Sequence, residues 1–297
     1  MAKRAGVVGL GIMGSAYAGH LIDAGFATTG FDVAADAMER FGARGGRRAP
    51  TASAVARDAD VVITALPSEA AMDAAFFGDD GLAAGAHGGL TVVEASTLTL
   101  AAKERARAGM AERGVRVLDA PVSGTGSQAR VKDIAFYASG ERAAYDAVED
   151  VLASTARSVR YVGAFGTGSK LKYIANLLVT IHNLSTAEAV VFAQKAGLDP
   201  ALMLEVVGDG AGASRMLGVR GPMMVSGSYD EPTMKLDVYQ KDIEIIAAFA
   251  REVGAPTPLF SQSAAFYATA LAEGRGKQDT AAIASVLKTM AGLPPDP

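Results

Sequence analysis

Few folds can accommodate Val7-Val8-Gly9-Leu10-Gly11-Ile12-Met13-Gly14, where a short apolar run enters three glycines spaced G-x-G-x-x-G and leaves as a helical pattern. Gly9 suits the tight turn out of a strand. Gly11 lets the backbone approach a pyrophosphate, and Gly14 lets the helix pack on the strand, so that the phosphates meet the helix N-terminus where Ile12 and Met13 lie. Asp32 ends the next strand candidate, 18 residues past Gly14. Its carboxylate can accept from both adenosine ribose hydroxyls and repels a 2′-phosphate, and Val33 supplies no guanidinium for one, so NAD is expected over NADP. NADP stays open on two counts. Asp32 can instead cap the helix starting near Ala34, and Arg40, Arg44, Arg47 and Arg48 lie close in sequence.

Residues 5–163 alternate short β-rich runs with helical patterns, which predicts an α/β domain: a Rossmann-type, doubly wound parallel sheet with helices on both faces. Strands are expected at 5–10, 26–32, 61–66, 90–94, 115–118, 134–139 and 159–162. Helices are expected near 13–24, 34–41, 68–76, 100–112 and 142–152. Past Gly168 the period changes. Leu171, Ile174, Leu178 and Ile181 recur at helical spacing in a long stretch, about 169–196, that stops at Gly197. Only helices are expected beyond it, at 200–207, 236–253, 258–273 and 280–290, with a Gly-rich break after the first and a frayed tail Pro294-Pro295-Asp296-Pro297. The expected division is an NAD(P)-binding domain over 1–165 and an all-α domain over 166–297, joined by the long helix.

At 297 residues, half of them apolar, the chain can bury two cores of ordinary size. Its net charge of −4 offers no basic footprint for nucleic acid or an anionic membrane surface. Cys is absent and the three histidines, His20, His87 and His182, are scattered, so no metal centre is expected. The start Met1-Ala2-Lys3-Arg4 superficially resembles a secretory leader, but the glycines that follow mark it as part of the fold. No stretch approaches ~20 uninterrupted apolar residues, so no membrane span is expected and the location is expected to be cytoplasmic.

Ligands of open α/β sheets bind beyond the carboxyl ends of the strands, which draws attention to three later segments. In Ala65-Leu66-Pro67-Ser68, Leu66 and Pro67 can wall a nucleotide. In Glu94-Ala95-Ser96-Thr97, Ser96 and Thr97 can contact a cofactor or equally cap the next helix. In Asp119-Ala120-Pro121-Val122-Ser123-Gly124-Thr125-Gly126, the Ser123-Gly124-Thr125 turn offers amides and hydroxyls to a carboxylate, although such a segment can be only a turn. On the long helix, Lys172 and Asn176 share a face, whereas Lys170 projects about 200° away.

These residues together resemble the β-hydroxyacid dehydrogenase family, which includes 3-hydroxyisobutyrate dehydrogenase and tartronate semialdehyde reductase. The resemblance spans almost the whole chain: Gly9-x-Gly11-x-Met13-Gly14, Asp119-Ala120-Pro121-Val122-Ser123-Gly124, Gly166-x-Gly168-x-x-x-Lys172-x-x-x-Asn176, and Lys241-Asp242 in a late helix. It implies that Lys172 is the catalytic acid/base, that Asn176 and the Ser123-Gly124 turn bind a small carboxylate substrate, and that Lys241 and Asp242 line the nicotinamide and substrate pocket. It also implies a homodimer or homotetramer formed through the helical domain. Without the resemblance, Lys241 and Asp242 read as a solvated helix start. The chain departs from many family members at Thr125 and Ala175, and Thr125 with Gln128 is expected to add polar groups beside the carboxylate site. The expected reaction is hydride transfer between nicotinamide and a β-hydroxy acid or its semialdehyde or ketone. An unperturbed lysine, with a pKa of ~10.4, must be tuned to act as the base. Oxidative decarboxylation, imine reduction and a non-catalytic dinucleotide-binding regulator are the alternatives.

Overall fold

The computed structural model describes residues 3–294 and 296. Its first part runs β1 (Arg4–Val8), α1 (Ile12–Asp23), β2 (Ala27–Phe31), α2 (Ala35–Ala43), β3 (Arg47–Arg48), α3 (Ala52–Asp58), β4 (Val61–Thr64), α4 (Glu69–Phe77) and β5 (Thr91–Glu94). It continues through α5 (Leu100–Ala111), β6 (Arg116–Asp119), β7 (Val122–Ser123), α6 (Gly126–Arg130), β8 (Ala135–Ala138), α7 (Arg142–Asp146), α8 (Glu149–Thr155) and β9 (Ser158–Tyr161). Helices follow: α9 (Thr167–Lys195), α10 (Pro200–Gly208), α11 (Arg215–Ser226), α12 (Leu236–Glu252), α13 (Pro258–Ala272) and α14 (Ile283–Met290).

Strands β3-β2-β1-β4-β5-β6 form a parallel sheet in that order. Its central strands are apolar at consecutive positions because neighbouring side chains serve opposite faces, each covered by helices. Val7, Ile63, Val93 and Leu118 pack on one side with Tyr17 and Leu21 of α1. Val8, Val62, Val92 and Val117 pack on the other with Val55, Met72 and Met110.

The expected single sheet is corrected in one respect. β8 pairs antiparallel with the unforeseen β7 and parallel with β9, forming a three-stranded sheet that meets the main one at the antiparallel Asp119–Ser139 bridge. Apolar alternation marks a strand but not its partner or direction, and Gly124, at φ +139°, turns the chain between β7 and α6. The expected helix over 142–152 is two helices, α7 and α8, and the Gly-rich break contains α11. Gly218, Gly221 and Pro222 argue locally against α11. Tertiary packing overrides them: a Cβ on Gly221 would lie 2.6 Å from Leu204, and Ser214 caps the helix by accepting from the Leu217 amide at 3.0 Å. Of the expected frayed tail, Pro295 and Pro297 lie outside the described residues. Asp296 is held, accepting from Lys288 and Ser285 and from the Tyr229 hydroxyl at 3.1 Å.

The chain forms two compact units, one ending at Lys172 and the other beginning at Tyr173. The division therefore falls inside α9, whose first turn belongs to the sheet-bearing unit. A Cβ on Gly168 would lie 2.2 Å from the Tyr137 carbonyl oxygen, so the helix start rests directly on β8 backbone. By length and composition α9 would suffice to cross a membrane, which amends the expectation that no segment resembles a span. Its Lys172, Asn176, Thr180 and Asn183 are buried polar residues, while Ile174, Leu178 and Phe192 are exposed.

Beneath the sheet end, Lys103 contacts Glu94 at 2.7 Å and Asp119 at 2.8 Å, all three side chains fully buried. Burial alone would lower the Lys103 pKa, but Asp119 and Glu94 outweigh it and hold the ammonium above its ordinary value. Removing one partner of such a cluster strands buried charge. Lys103→Ala should destabilise the protein by ~3–5 kcal/mol in denaturant unfolding, whereas Arg4→Ala, at the exposed pair with Asp60, should leave the unfolding midpoint nearly unchanged. Equal small effects would show that the buried cluster is not holding the fold.

Candidate active site

Phe31, Val8, Thr64, Glu94 and Asp119 are register partners across the sheet, so the carboxyl ends of β2, β1, β4, β5 and β6 stand in one row. The glycine turn, Asp32, Leu66 and Ser96 all leave this row. Gly9 has φ +87°, and a Cβ there would lie 2.3 Å from the Ala65 carbonyl oxygen. On Gly14 it would lie 1.7 Å from the Gly9 carbonyl oxygen, whereas on Gly11 it would meet nothing within 4 Å. The first and third glycines are thus dictated by the protein's own packing, and the second borders open space. Gly11 is also the N-cap of α1 with no side-chain cap, and Ile12 beside it is exposed. The amides of Ile12, Met13 and Gly14 begin the helix, and its positive end suits a pyrophosphate.

Asp32 accepts from the Leu10 amide at 2.6 Å and from the Ala34 amide at 2.8 Å, which ties the end of β2 to the glycine turn. A carboxylate has about four lone-pair sites, so these two bonds leave capacity for ribose hydroxyls. Val33 is 93% exposed. Three of the nearby arginines are engaged elsewhere: Arg40 with Asp36, Arg44 with Asp23, and Arg47 with Asp58.

Ser96 is not the helix cap: Thr99 caps α5, accepting from the Ala102 amide at 3.2 Å. Ser96 is buried, its hydroxyl accepting from the Leu66 amide at 2.8 Å and its own amide donating to Glu94 at 3.0 Å. The two loops carrying Leu66-Pro67 and Ser96-Thr97 are therefore one connected structure. Pro67 is exposed beside half-buried Leu66.

Ser123 lies in β7 opposite Ala135, and Gly124 follows with no room for a Cβ, which would approach Ile134 to 2.5 Å. Thr125 and Gln128 are bonded to each other. They form a reciprocal capping box on α6, the Thr125 amide donating to Gln128 at 3.0 Å, and the Gln128 side-chain amide donates to Asp133 at 2.9 Å. Their polarity serves local structure.

Sequence reasoning missed the cluster around Lys103. Asp119 accepts from Lys103, from the Ser169 amide at 2.8 Å and from the Ser169 hydroxyl at 2.7 Å, while the Gly168 amide donates to the Ser139 hydroxyl at 3.0 Å. A signal was present in the sequence: Lys103 falls on the buried face of α5 with Ala102, Ala106 and Met110, a lone charge where only apolar residues belong.

Lys172 is 9% exposed, and Lys170 is exposed as expected. In the helical unit, Asn176 donates to Asp242 at 2.8 Å, and Lys241 pairs with the other Asp242 oxygen at 3.1 Å. The reading of Lys241 and Asp242 as a solvated helix start is thereby corrected, since Asp242 is 6% exposed and lies in the second turn of α12. The Asn176 carbonyl accepts from Thr180 at 2.8 Å and from Tyr239 at 3.0 Å. Burial raises the Tyr239 pKa well above the ordinary phenol value, which keeps the hydroxyl protonated as a donor.

Residues 4–163 match the family model described as the NAD binding domain of 6-phosphogluconate dehydrogenase, and residues 166–287 match the NAD-binding domain of NADP-dependent 3-hydroxyisobutyrate dehydrogenase. The L-threonate dehydrogenase of Cupriavidus necator is 33% identical over 287 residues, 96% of each chain. The crystal structure of 3-hydroxyisobutyrate dehydrogenase from Salmonella typhimurium superposes with a TM-score of 0.87 at 31% identity, covering 96% of this chain and 99% of that one. Mycobacterium tuberculosis 3-hydroxyisobutyrate dehydrogenase with L-serine gives 0.86 at 27% identity, covering 97% and 100%.

The glycine geometry separates folding from ligand binding. Gly14→Ala forces a methyl into the Gly9 carbonyl and should destabilise the protein by more than ~2 kcal/mol. Gly11→Ala should stay within ~1 kcal/mol of wild type yet weaken dinucleotide binding at least ~10-fold, read by fluorescence titration of reduced nicotinamide. Undiminished binding by the Gly11 variant would remove that turn from the cofactor site.

Proposed function

Because the chain belongs to the β-hydroxyacid dehydrogenase family of NAD(P)-dependent oxidoreductases, we propose that Lys172 is its acid/base and that its substrate is a small β-hydroxy acid of the threonate kind. The observation that carries the role of Lys172 is its burial on one face of α9 with Asn176, one turn apart, while Lys170 faces out. A proton donor or acceptor must be held at a fixed place beside the reacting oxygen, and a buried side chain on a long helix meets that need. Threonate is favoured by the L-threonate dehydrogenase relative.

Bound NAD(P) supplies the hydride acceptor for oxidation and, reduced, the donor for the reverse reaction. In oxidation the Lys172 amine takes the proton of the carbinol hydroxyl. In reduction the ammonium returns it to the carbonyl oxygen. Asn176, its amide oriented by Asp242, and the Ser123-Gly124 turn hold the substrate's polar groups, and Lys241 keeps the Asp242 carboxylate paired. Asp32, exposed Val33 and the engaged arginines favour NAD over NADP.

A second copy of the chain is the proposed cover for the apolar stripe that α9 exposes through Ile174, Leu178 and Phe192. The same helix buries Lys172, Asn176, Thr180 and Asn183 while these apolar side chains stay exposed.

Two measurements bear on this reading. With L-threonate, 3-hydroxyisobutyrate, glycerate and L-serine as the panel, Lys172→Ala should lower kcat by ~10²- to 10⁴-fold with folding and NAD affinity intact, and Lys170→Ala should be near wild type. Equal activity in the two variants would place the acid/base elsewhere. For the cofactor, wild type should give a higher kcat/KM with NAD, and Asp32→Ala with Val33→Arg should move the preference toward NADP. A wild-type preference for NADP would remove Asp32 as the selector.

A further inference from the structure

Resting on the reading of Lys172 as the acid/base, we infer that Ser169 and Lys103 are positioning residues for it, acting through the Asp119 carboxylate. Neither needs to touch substrate: Lys103, Asp119 and Ser169 are at most 1% exposed. Ser169 gives both its amide and its hydroxyl to Asp119, at 2.8 and 2.7 Å. Two bonds from one residue to one carboxylate fix the helix start in rotation as well as translation. Lys172 follows three residues later, so a turn of the helix about its axis at Ser169 moves the lysine by the same angle.

The carboxylate is itself fixed from behind. Lys103 bridges Asp119 to Glu94, Glu94 accepts from the Ser96 amide at 3.0 Å, and Ser96 accepts from the Leu66 amide at 2.8 Å. One continuous chain of charge-assisted and neutral hydrogen bonds therefore runs from the loops at the ends of β4 and β5, the side assigned to the cofactor, to the helical turn that leads to Lys172. A buried ion cluster contributes little stability beyond an apolar packing of equal volume. What it contributes that apolar packing cannot is direction, because charged hydrogen bonds hold their partners at fixed distance and angle. Hydride transfer and proton transfer require the cofactor and Lys172 to keep register with each other, and the Glu94–Lys103–Asp119–Ser169 chain is the physical link between their supports.

Ser169→Ala tests this with the least disturbance, since it deletes one oxygen and leaves the backbone amide on Asp119. In the full-length enzyme with its active β-hydroxy acid, kcat should fall ~10- to 100-fold, the range for a small misplacement of a reacting group, with KM and the NAD dissociation constant within about twofold. The deuterium isotope effect on kcat should rise, because misaligned chemistry becomes rate-limiting. Ser169→Thr, which keeps the hydroxyl, should recover most of the rate, and Asp119→Asn, which keeps the volume, should share the kcat defect. A Ser169→Ala enzyme with unchanged kcat and isotope effect overturns the inference, as does a parallel loss of kcat, KM, cofactor affinity and thermal stability in both Ser169→Ala and Asp119→Asn, which would mark the cluster as structural alone. Wild type turning over normally while Lys172→Ala is equally active defeats the acid/base reading and this inference together. A defective Lys172→Ala beside an unaffected Ser169→Ala defeats only the latter.

Discussion

Two carboxyl groups and one ammonium, Glu94, Asp119 and Lys103, lie together fully buried at the carboxyl end of the sheet. The remaining hydrogen-bonding capacity of Asp119 must be met by something else. It is met by the start of α9, whose Ser169 amide and hydroxyl point at Asp119 and whose positive dipole end faces the same oxygens. These bonds tie the start of a 29-residue helix to this place. β5, β6, α5 and the first turn of α9 are locked to one another by these contacts, and residues at the sheet end inherit their positions from them.

The same logic recurs in the helical unit. Asp279 is buried against Arg220 at 3.1 Å and also accepts from the Thr233 and Met234 amides and the Ala281 amide. Burial would raise the carboxyl's pKa, but Arg220 and these amides outweigh it and hold it below the usual carboxylate range. The segment before α12 is thereby fixed, and α12 carries Lys241 and Asp242. Pairs at the surface, such as Arg142 with Asp146, gain little because water already solvates both partners.

Backbone and side chains divide the work of the candidate site. Glycines shape the turn after β1: Gly9 and Gly14 by touching their own chain, Gly11 by touching nothing. Side chains supply direction: Asp242 orients the Asn176 amide, and Ser96 holds the Leu66 loop. The elements that bind and the elements that orient are seldom the same residues, and only the first group has a recognisable sequence spacing.

Local spacing therefore determined a good deal. The glycine turn, Asp32 at the next strand end, the alternation of strand and helix, and Lys172 four residues before Asn176 on a long helix are all period and distance along the chain, which a sequence displays directly. Tertiary structure decided what depends on partners. Whether β8 joined the main sheet, whether α11 survived Gly221 and Pro222, and whether Asp242 was solvated all rest on contacts between residues far apart in sequence. Lys103 shows the limit most clearly. Its sequence neighbours mark a buried face, but the two carboxylates that make burial of an ammonium tolerable come from the ends of different strands, and only the parallel register of β5 with β6 sets them side by side.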